Sequence, residues 1–517
     1  MTSMAYNAAS GLGGMLKEGH KHWDDAILRN IDAAMELSSM VQTSLGPFGR
    51  HKLLVNHLEK MSVTSDCATI LKELEVEHPA ARLLSMASQK QKEECGDATN
   101  LVVTFAGELL RQTSQLMNMG LHVSEVIDGY QVASNMLFEE LPKCVCQEGV
   151  VDEAALTKIV APVLGSKQYG IQDDIAPLVV KAGLCAQGNP ESVRTVKVLG
   201  GSVSDSRMVA GYVAQRPVET STISAENCKV VVFACGMEAS STEAKGTVLM
   251  KSADDLKSYN ASEERKMEEI VQAIAESGAK VVVTGGSVSE MALHFCNRYK
   301  LILLKLGSKW ELRRLCQAVG ATALVRLGPP TPDEMGFCES VHPETIGGKS
   351  LTIFESSRTK LATLILRAST NGMLQDVERA VDNGVHALQQ ARRSNGACVP
   401  GAGATEFYLS QQIAHRADTS PGLDQYAMRA FAMSLQVVPR LLAETAGHDA
   451  PKLIADMIAA PERFPGVDLE EGTVGPTEVL DLLNTKKSAF QLSLDAALTV
   501  LRVDQIIMSK QAGGPKQ

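Results

Sequence analysis

Helical patterning fills the first 140 residues, yields to alternating strands and helices, and returns after residue 400. That order constrains the fold more than any other feature of the chain. It predicts a helical domain assembled from both chain ends, with an α/β unit inserted between them. Insertion is easy when the ends of the host domain lie close together. The amphipathic pattern starts at Trp23, where Ile27, Ile31, Ala34 and Val41 recur at spacings of four, three and seven and share one face. Gly46-Pro47 stops it. Lys52–Asn56 and Met61–Thr64 read as a hairpin. Helices are expected over Ala68–Glu75, Pro79–Glu94 and Leu101–Leu116, the last after the loop Cys95–Asn100.

In the middle, Val230–Phe233, Lys280–Thr284, Leu301–Lys305 and Ala321–Leu327 are short apolar runs suited to buried strands. Helical patterns at Glu263–Ser277, Ser289–Tyr299 and Trp310–Val319 separate them, which predicts a parallel α/β unit. A polar stretch near residues 236–262 interrupts it, long enough to be a functional element. Leu351–Phe354 and Leu361–Leu366 read as further strands. Helix returns over Met373–Gln390, followed by a loop around Val399–Gly403 and helices to the end.

Composition narrows the function classes. The 517 residues exceed one core and suggest about three or four domains. The net charge of −10 lacks the basic stripe that nucleic acid requires. No apolar run approaches the roughly 20 residues of a membrane span, and the N-terminus lacks a signal-peptide core, so a cytoplasmic protein is expected. Eleven cysteines with no CxxC pair read as reduced thiols rather than zinc ligands. A small-molecule α/β enzyme would need a nucleophile–base pair at the strand ends of the middle unit, and the sequence offers none there.

Three loops carry the chemistry: Leu45-Gly46-Pro47-Phe48-Gly49, Gly96-Asp97-Ala98-Thr99-Asn100 and Gly401-Ala402-Gly403-Ala404. The second and third open helices, whose exposed N–H groups and dipole attract phosphate. A carboxylate such as Asp97 sits badly beside phosphate unless a hard cation bridges the two, which Mg²⁺ does with few carboxylates and several waters. None of the loops has Walker A or GxGxxG spacing.

The order of these loops, with Asp66-Cys67-Ala68-Thr69-Ile70-Leu71 between the first two and Thr405-Glu406 closing the last, resembles the nucleotide-binding set of the group II chaperonins. Glu77-His78-Pro79-Ala80-Ala81, Leu441–Gly447 and Leu501-Arg502-Val503-Asp504 extend the likeness over nearly the whole chain, and it points to subunits of the eukaryotic cytosolic complex TRiC/CCT. The resemblance implies an α+β multidomain fold with three domains. The equatorial ATP-binding domain would comprise residues 1–140 and 399–517. The intermediate hinge would comprise 141–208 and 364–398. The apical substrate domain, 209–363, would carry a helical lid protrusion near 236–262. It further implies an ATP-dependent chaperone in a double ring of paralogous subunits. Non-native proteins such as actin and tubulin would be its clients, and prefoldin a possible co-partner.

Carried over by motif, Leu45 and Gly46 would line the phosphate and base, and Asp97 would hold Mg²⁺. Ala98, Thr99, Asn100 and Leu101 would contact phosphate, and Gly401 and Gly403 would lie against the ATP or ADP. Asp481 would meet the ribose, with Lys486 close by. Asp66 would be one of two carboxylates positioning the attacking water. The second carboxylate is expected where this chain has Asn383, an amide that cannot accept the water's proton; loss of a general base costs about 10²–10⁴ in rate. Asp382 is a substitute one residue away, although about 100° round the helix, and deamidation at Asn383-Gly384 would restore an Asp. Ala98 and Ala402 replace expected glycines. If they need positive φ, each costs about 1 kcal/mol or more. The chain is therefore expected to bind ATP with weakened hydrolysis, or to be a structural ring subunit whose nucleotide stays uncleaved.

Overall fold

The computed structural model describes residues 23–55, 59, 61–149, 152–238 and 253–507. Most of the polar stretch near 236–262 lies outside the described residues; only its flanks, including the start of the helix Ala253–Glu276, are within them. The chain divides into two compact units, residues 1–176 with 379–517, and residues 177–378. It passes from one to the other inside the helix Gln172–Cys185, at Pro177, and returns inside the helix Asn371–Arg393.

The first unit is helical and is built from both chain ends. Its centre is the helix Thr99–Asn118, buried over most of its circumference, with Val102, Val103, Phe105, Ala106, Leu109 and Leu110 fully buried. Helices Trp23–Gln42 and Pro79–Cys95 pack on it from the N-terminal part, and Asp424–Leu435 and Leu483–Arg502 from the C-terminal part. Phe105 meets Phe431 and Phe490 edge-on at ring separations of 5.7 and 5.5 Å. One core therefore joins residues almost 400 positions apart, which is why the helical pattern had to return. Gly107 lets the first helix approach: a Cβ there would run into Ser38, whose hydroxyl donates to the Val103 carbonyl at 3.1 Å.

Three short antiparallel pairs complete this unit: Lys52–Val55 with Met61–Thr64, Cys398–Pro400 with Leu480–Leu482, and Pro465–Asp468 with Thr473–Pro476. The central helix starts at Thr99 rather than Leu101, because Ala98 turns into the left-handed region and caps it.

The second unit holds a nine-stranded sheet. Eight strands form one path, in the order Val193–Leu199, Ala362–Ala368, Arg207–Ala214, Lys349–Glu355, Gly336–Ile346, Ala225–Phe233, Ala279–Thr284 and Ile302–Lys305. The ninth, Ala323–Leu324, is all that forms of the expected strand Ala321–Leu327, and it pairs in parallel beside Phe233. The last three strands of the path are parallel, with Val282 opposite Val231 and Leu303 opposite Val282. Val230, Val232, Val281 and Val283 face Leu312 and Leu315 of the helix Lys309–Val319. Val231, Phe233 and Val282 face Met267, Val271, Ile274 and Phe295 of the helices Ala253–Glu276 and Glu290–Arg298. Burial on both faces produces the continuous apolar runs seen in the sequence.

The purely parallel expectation needs correction. Lys349–Glu355 pairs antiparallel with both of its neighbours, and the sheet is mixed. The strands Val193–Leu199 and Gly336–Ile346 escape an apolar-run reading because polar residues interleave along them, whereas Arg207–Ala214 is apolar after its first residue and is missing from the strands expected above. Among the described residues no helix is long and apolar enough to cross a membrane. All eleven cysteines are free thiols.

Candidate nucleotide site

The three motif loops and the Asp66 segment come together in the first unit, and Asn100 holds three of them. Its side-chain NH₂ donates to the Ser44 carbonyl at 2.8 Å and to the Ser44 hydroxyl at 3.1 Å. Its side-chain oxygen accepts the Cys67 N–H at 3.1 Å. The expected phosphate-contact side chain is thus spent on fixing the Leu45–Gly46 loop and the Asp66–Cys67 turn against the helix start. Leu101 turns into the hydrophobic core. Gly46 has φ +83°, and a side chain there would strike Leu442. Leu45 is half-buried beside it.

Ala98 (φ 62°) and Ala402 (φ 53°) both adopt the left-handed conformation, so each carries the Cβ strain stated above as a condition. Gly403 (φ 77°) caps the helix Ala404–Thr419 against Pro439. Gly401 donates its N–H to the Val479 carbonyl at 2.8 Å. A Cβ on Gly401 would lie 3.1 Å from Asp481 Oδ2. The pairing of Val399 with Asp481 delivers that carboxylate to the loop.

Two buried charge chains bind these pieces. Asp66 caps the helix Cys67–Glu73, accepting from Thr69 N–H at 3.2 Å and Thr69 Oγ1 at 2.6 Å. Lys92 Nζ lies 2.6 Å from its Oδ2, and Lys167 Nζ 3.3 Å from its Oδ1. Burial opposes ionisation of Asp66, but the two ammonium groups outweigh it and hold its carboxyl far below the usual range. In the second chain, buried Lys486 lies 2.8 Å from Glu406 and 2.9 Å from Asp481. Burial works against its charge, and the two carboxylates reverse that and raise its affinity for the proton.

Asp97 is different. Burial pushes its carboxyl above the usual range; Lys167 and the Ala98 N–H pull it down, while Asp481 and Asp66 add repulsion. Asp97 thus feels the charge of two other carboxylates, Asp66 and Asp481. Both of these have close lysine partners, whereas Asp97 shares Lys167. A hard dication suits such a donor. Among the described residues no group of three or more His, Cys, Asp or Glu side chains could hold a metal. A cation at Asp97 would therefore draw its other ligands from phosphate and water, as Mg²⁺ readily does. Polar groups left without a hydrogen bond also gather in these motifs. Asp66 Oδ1, Thr99 Oγ1, Thr485 Oγ1 and Asn383 Nδ2 make four of the six such buried atoms among the described residues.

Asn383 reaches this region on the helix Asn371–Arg393. One face of that helix carries Arg379, Asn383, His386 and Gln390 at helical spacing. Arg379 donates to Ser62 Oγ at 3.3 Å, Gln390 donates to the Glu94 carbonyl, and His386 packs where a side chain on Gly96 would sit. Asn383 is 3% exposed, whereas Asp382 lies on the exposed face and its carbonyl accepts from His386 Nδ1.

Lys92, Lys167 and Glu406 are central to the geometry, yet the motif reading assigned them no role. Gln91 is another: its NH₂ donates to the carbonyls of Asp97 (3.0 Å) and Thr485 (3.2 Å), tying the Gly96–Asn100 loop to the helix Leu483–Arg502. Glu406 closes the third motif loop, and Lys167 lies in the stretch Ser166-Lys167-Gln168-Tyr169-Gly170, which shares in the resemblance. Lys92 reaches Asp66 across 26 residues and Gln91 reaches Thr485 across 394, separations that leave no local signal.

Comparison with known proteins agrees with this architecture. Residues 37–511 match the model of the TCP-1/cpn60 chaperonin family. The T-complex protein 1 subunit theta of Arabidopsis thaliana is 44% identical over 98% of this chain and 96% of its own length. The human protein of that name is 42% identical over 98% and 96%, and that of Dictyostelium discoideum 42% over 98% of each. With the family model covering most of its length and whole-length relatives above 40% identity, the chain belongs to the TCP-1/cpn60 chaperonin family.

Proposed function

We propose that this chain is a theta-type subunit of a cytoplasmic, hetero-oligomeric double-ring chaperonin. It assembles with paralogous subunits and encloses non-native proteins, actin and tubulin among them, with prefoldin as a possible delivering partner. It binds ATP and Mg²⁺ at the loops gathered around Asp97. The observation that supports the nucleotide reading is the clustering of three unpartnered buried polar atoms, Thr99 Oγ1, Thr485 Oγ1 and Asn383 Nδ2, and an undercompensated Asp97 around glycine-containing helix starts. Such groups are costly to bury without a ligand.

In this reading Asp97 holds the cation, and the cation supplies charge neutralisation for the phosphates. The N–H groups at Thr99 and Ala404 face the phosphates at their helix starts. Lys486 fixes Asp481 in place, and Lys167 and Lys92 keep Asp66 ionised and fixed. Asp66 accepts a hydrogen from water and orients it. The second proton acceptor is missing at Asn383, so hydrolysis is weakened.

A second reading is favoured by that same residue: a ring subunit whose nucleotide stays uncleaved. A map of the native complex after incubation with ATP and Mg²⁺ separates the two. ADP in this subunit's pocket supports slow turnover. ATP with an intact γ-phosphate, beside ADP in neighbouring subunits, supports the structural role. An empty pocket, or no ring at all, overturns both.

A further inference from the structure

We propose that Cys146 and Cys398 form a thiol-oxidation site, a pair that a small disulfide closes into an intrachain bond. Of the eleven cysteines, all among the described residues, Cys146 alone is exposed. Cysteine is among the most buried residue types, so an exposed one set against a buried one does not serve packing. Cys398 is fully buried. The Cys146 N–H donates to the Cys398 carbonyl at 3.0 Å, and the Cys398 N–H donates to the Gln147 carbonyl at 2.9 Å. Gln147 and Cys398 face each other in an antiparallel bridge. Cys146 and Gln147 therefore stand together opposite Cys398, as in a β-bulge. The Cys146 sulfur folds toward its partner, 3.4 Å from the Cys398 carbonyl oxygen. Residues facing across an antiparallel pair have Cα atoms about 4.5–5.5 Å apart, inside the roughly 4.4–6.8 Å span of a disulfide. Cys144 is no rival: it is buried, and its thiol is turned to the Glu140 carbonyl at 3.5 Å.

Cys146 gives its proton to water, and its thiolate attacks one sulfur of the small disulfide; that S–S bond breaks, and the departing thiolate takes up a proton. The Cys398 thiolate then attacks the Cys146 sulfur of the mixed disulfide and expels the second small thiol. Two protein thiols are oxidised by two electrons, and the small disulfide is reduced to two thiols. Burial pushes the Cys146 thiol up, while the N–H groups of Cys146 and Gln147 pull it down. Burial, with added repulsion from Cys146 and Asp481, pushes Cys398 up to about 12. The attack at the accessible sulfur is therefore the faster step, and closure is slow. The bond spans 252 residues. It ties down the strand Cys398–Pro400, which pairs with Leu480–Leu482 and leads directly into Gly401. A cross-link closing so long a loop removes freedom from the unfolded chain, so the oxidised chain is the more stable.

The test incubates the reduced full-length chain with oxidised glutathione at mildly alkaline pH. Remaining thiols are blocked with iodoacetamide in denaturant, and the digested chain is mapped by mass spectrometry without reductant. The expected product is one peptide pair joined through Cys146 and Cys398, two hydrogens lighter than the reduced pair and separated by dithiothreitol. The melting temperature of the oxidised chain is expected to exceed that of the reduced chain, and the rise is lost in C146S, which changes only an exposed sulfur. C398A is expected to stop at glutathione carried on Cys146, and C146S to leave Cys398 alkylated. Glutathione retained on Cys146 of the wild type without closure, a Cys144–Cys146 bond, or recovery of both thiols in alkylated form overturns the inference.

Discussion

At the scale of single residues, strain and charge are concentrated where the loops meet. Ala98 and Ala402 hold left-handed backbone that glycine adopts freely. Replacing either by glycine relieves about 1–2 kcal/mol of strain but loosens the unfolded chain by about 0.4–1 kcal/mol. A98G and A402G are each expected to raise stability by up to about 1 kcal/mol in denaturant titration; a loss in both would show that the strain is relieved elsewhere. Asp97 binds its proton more tightly folded than unfolded. Its effect therefore favours the fold at low pH and is lost as pH rises through its raised folded value. D97N should raise the melting temperature of the nucleotide-free chain at neutral pH while removing any Mg²⁺-dependent gain from nucleotide. Asp66 has the opposite sign. Its stabilisation is present above the ordinary carboxylate range and is lost only as pH falls through its depressed folded value.

At the scale of elements, the charge chains fasten helix starts to strands. Lys486 on the helix Leu483–Arg502 holds Glu406 on the helix Ala404–Thr419 and Asp481 on the strand Leu480–Leu482. K486M leaves one fully buried carboxylate uncompensated and should cost about 3–5 kcal/mol. Pairing it with E406Q should recover part of that loss in a double-mutant cycle, and strict additivity of the two would show that the pair is uncoupled. These elements were legible to different degrees. Gly46-Pro47 marked the end of the first helix, and the apolar runs marked the parallel strands. The strand over Ala321–Leu327 was legible but too long, because only Ala323–Leu324 finds a partner; the interleaved strand Gly336–Ile346 was not legible, since pairing rather than composition makes it a strand.

At the scale of the whole molecule, each unit has its own core. Phe105 joins the two halves of the first unit through Phe431 and Phe490. F105A should cost about 3–5 kcal/mol and destabilise both chain ends together, read as simultaneous loss of amide protection in the helices Trp23–Gln42 and Leu483–Arg502. Loss at one end only would show that the two halves melt separately. The second unit has apolar clusters on both faces of its sheet. A fragment spanning residues 190–368 is expected to unfold cooperatively on its own, and a broad, non-cooperative melt would count against its independence.

The periodicities of the chain determined by themselves that both ends are helical and that an α/β unit lies between them, because periods of 3.6 and 2 are local properties of a backbone with one face buried. The family resemblance carried by motif order grouped Asp66, Asp97, Gly401 and Asp481 as an expectation. Only the tertiary structure decided that Asn100 spends its amide on Ser44 and Cys67, that Lys167 stands between two carboxylates, and that Asn383 rather than Asp382 is buried. Those outcomes depend on which distant groups share a low-dielectric space, and nothing in the local sequence encodes that distance.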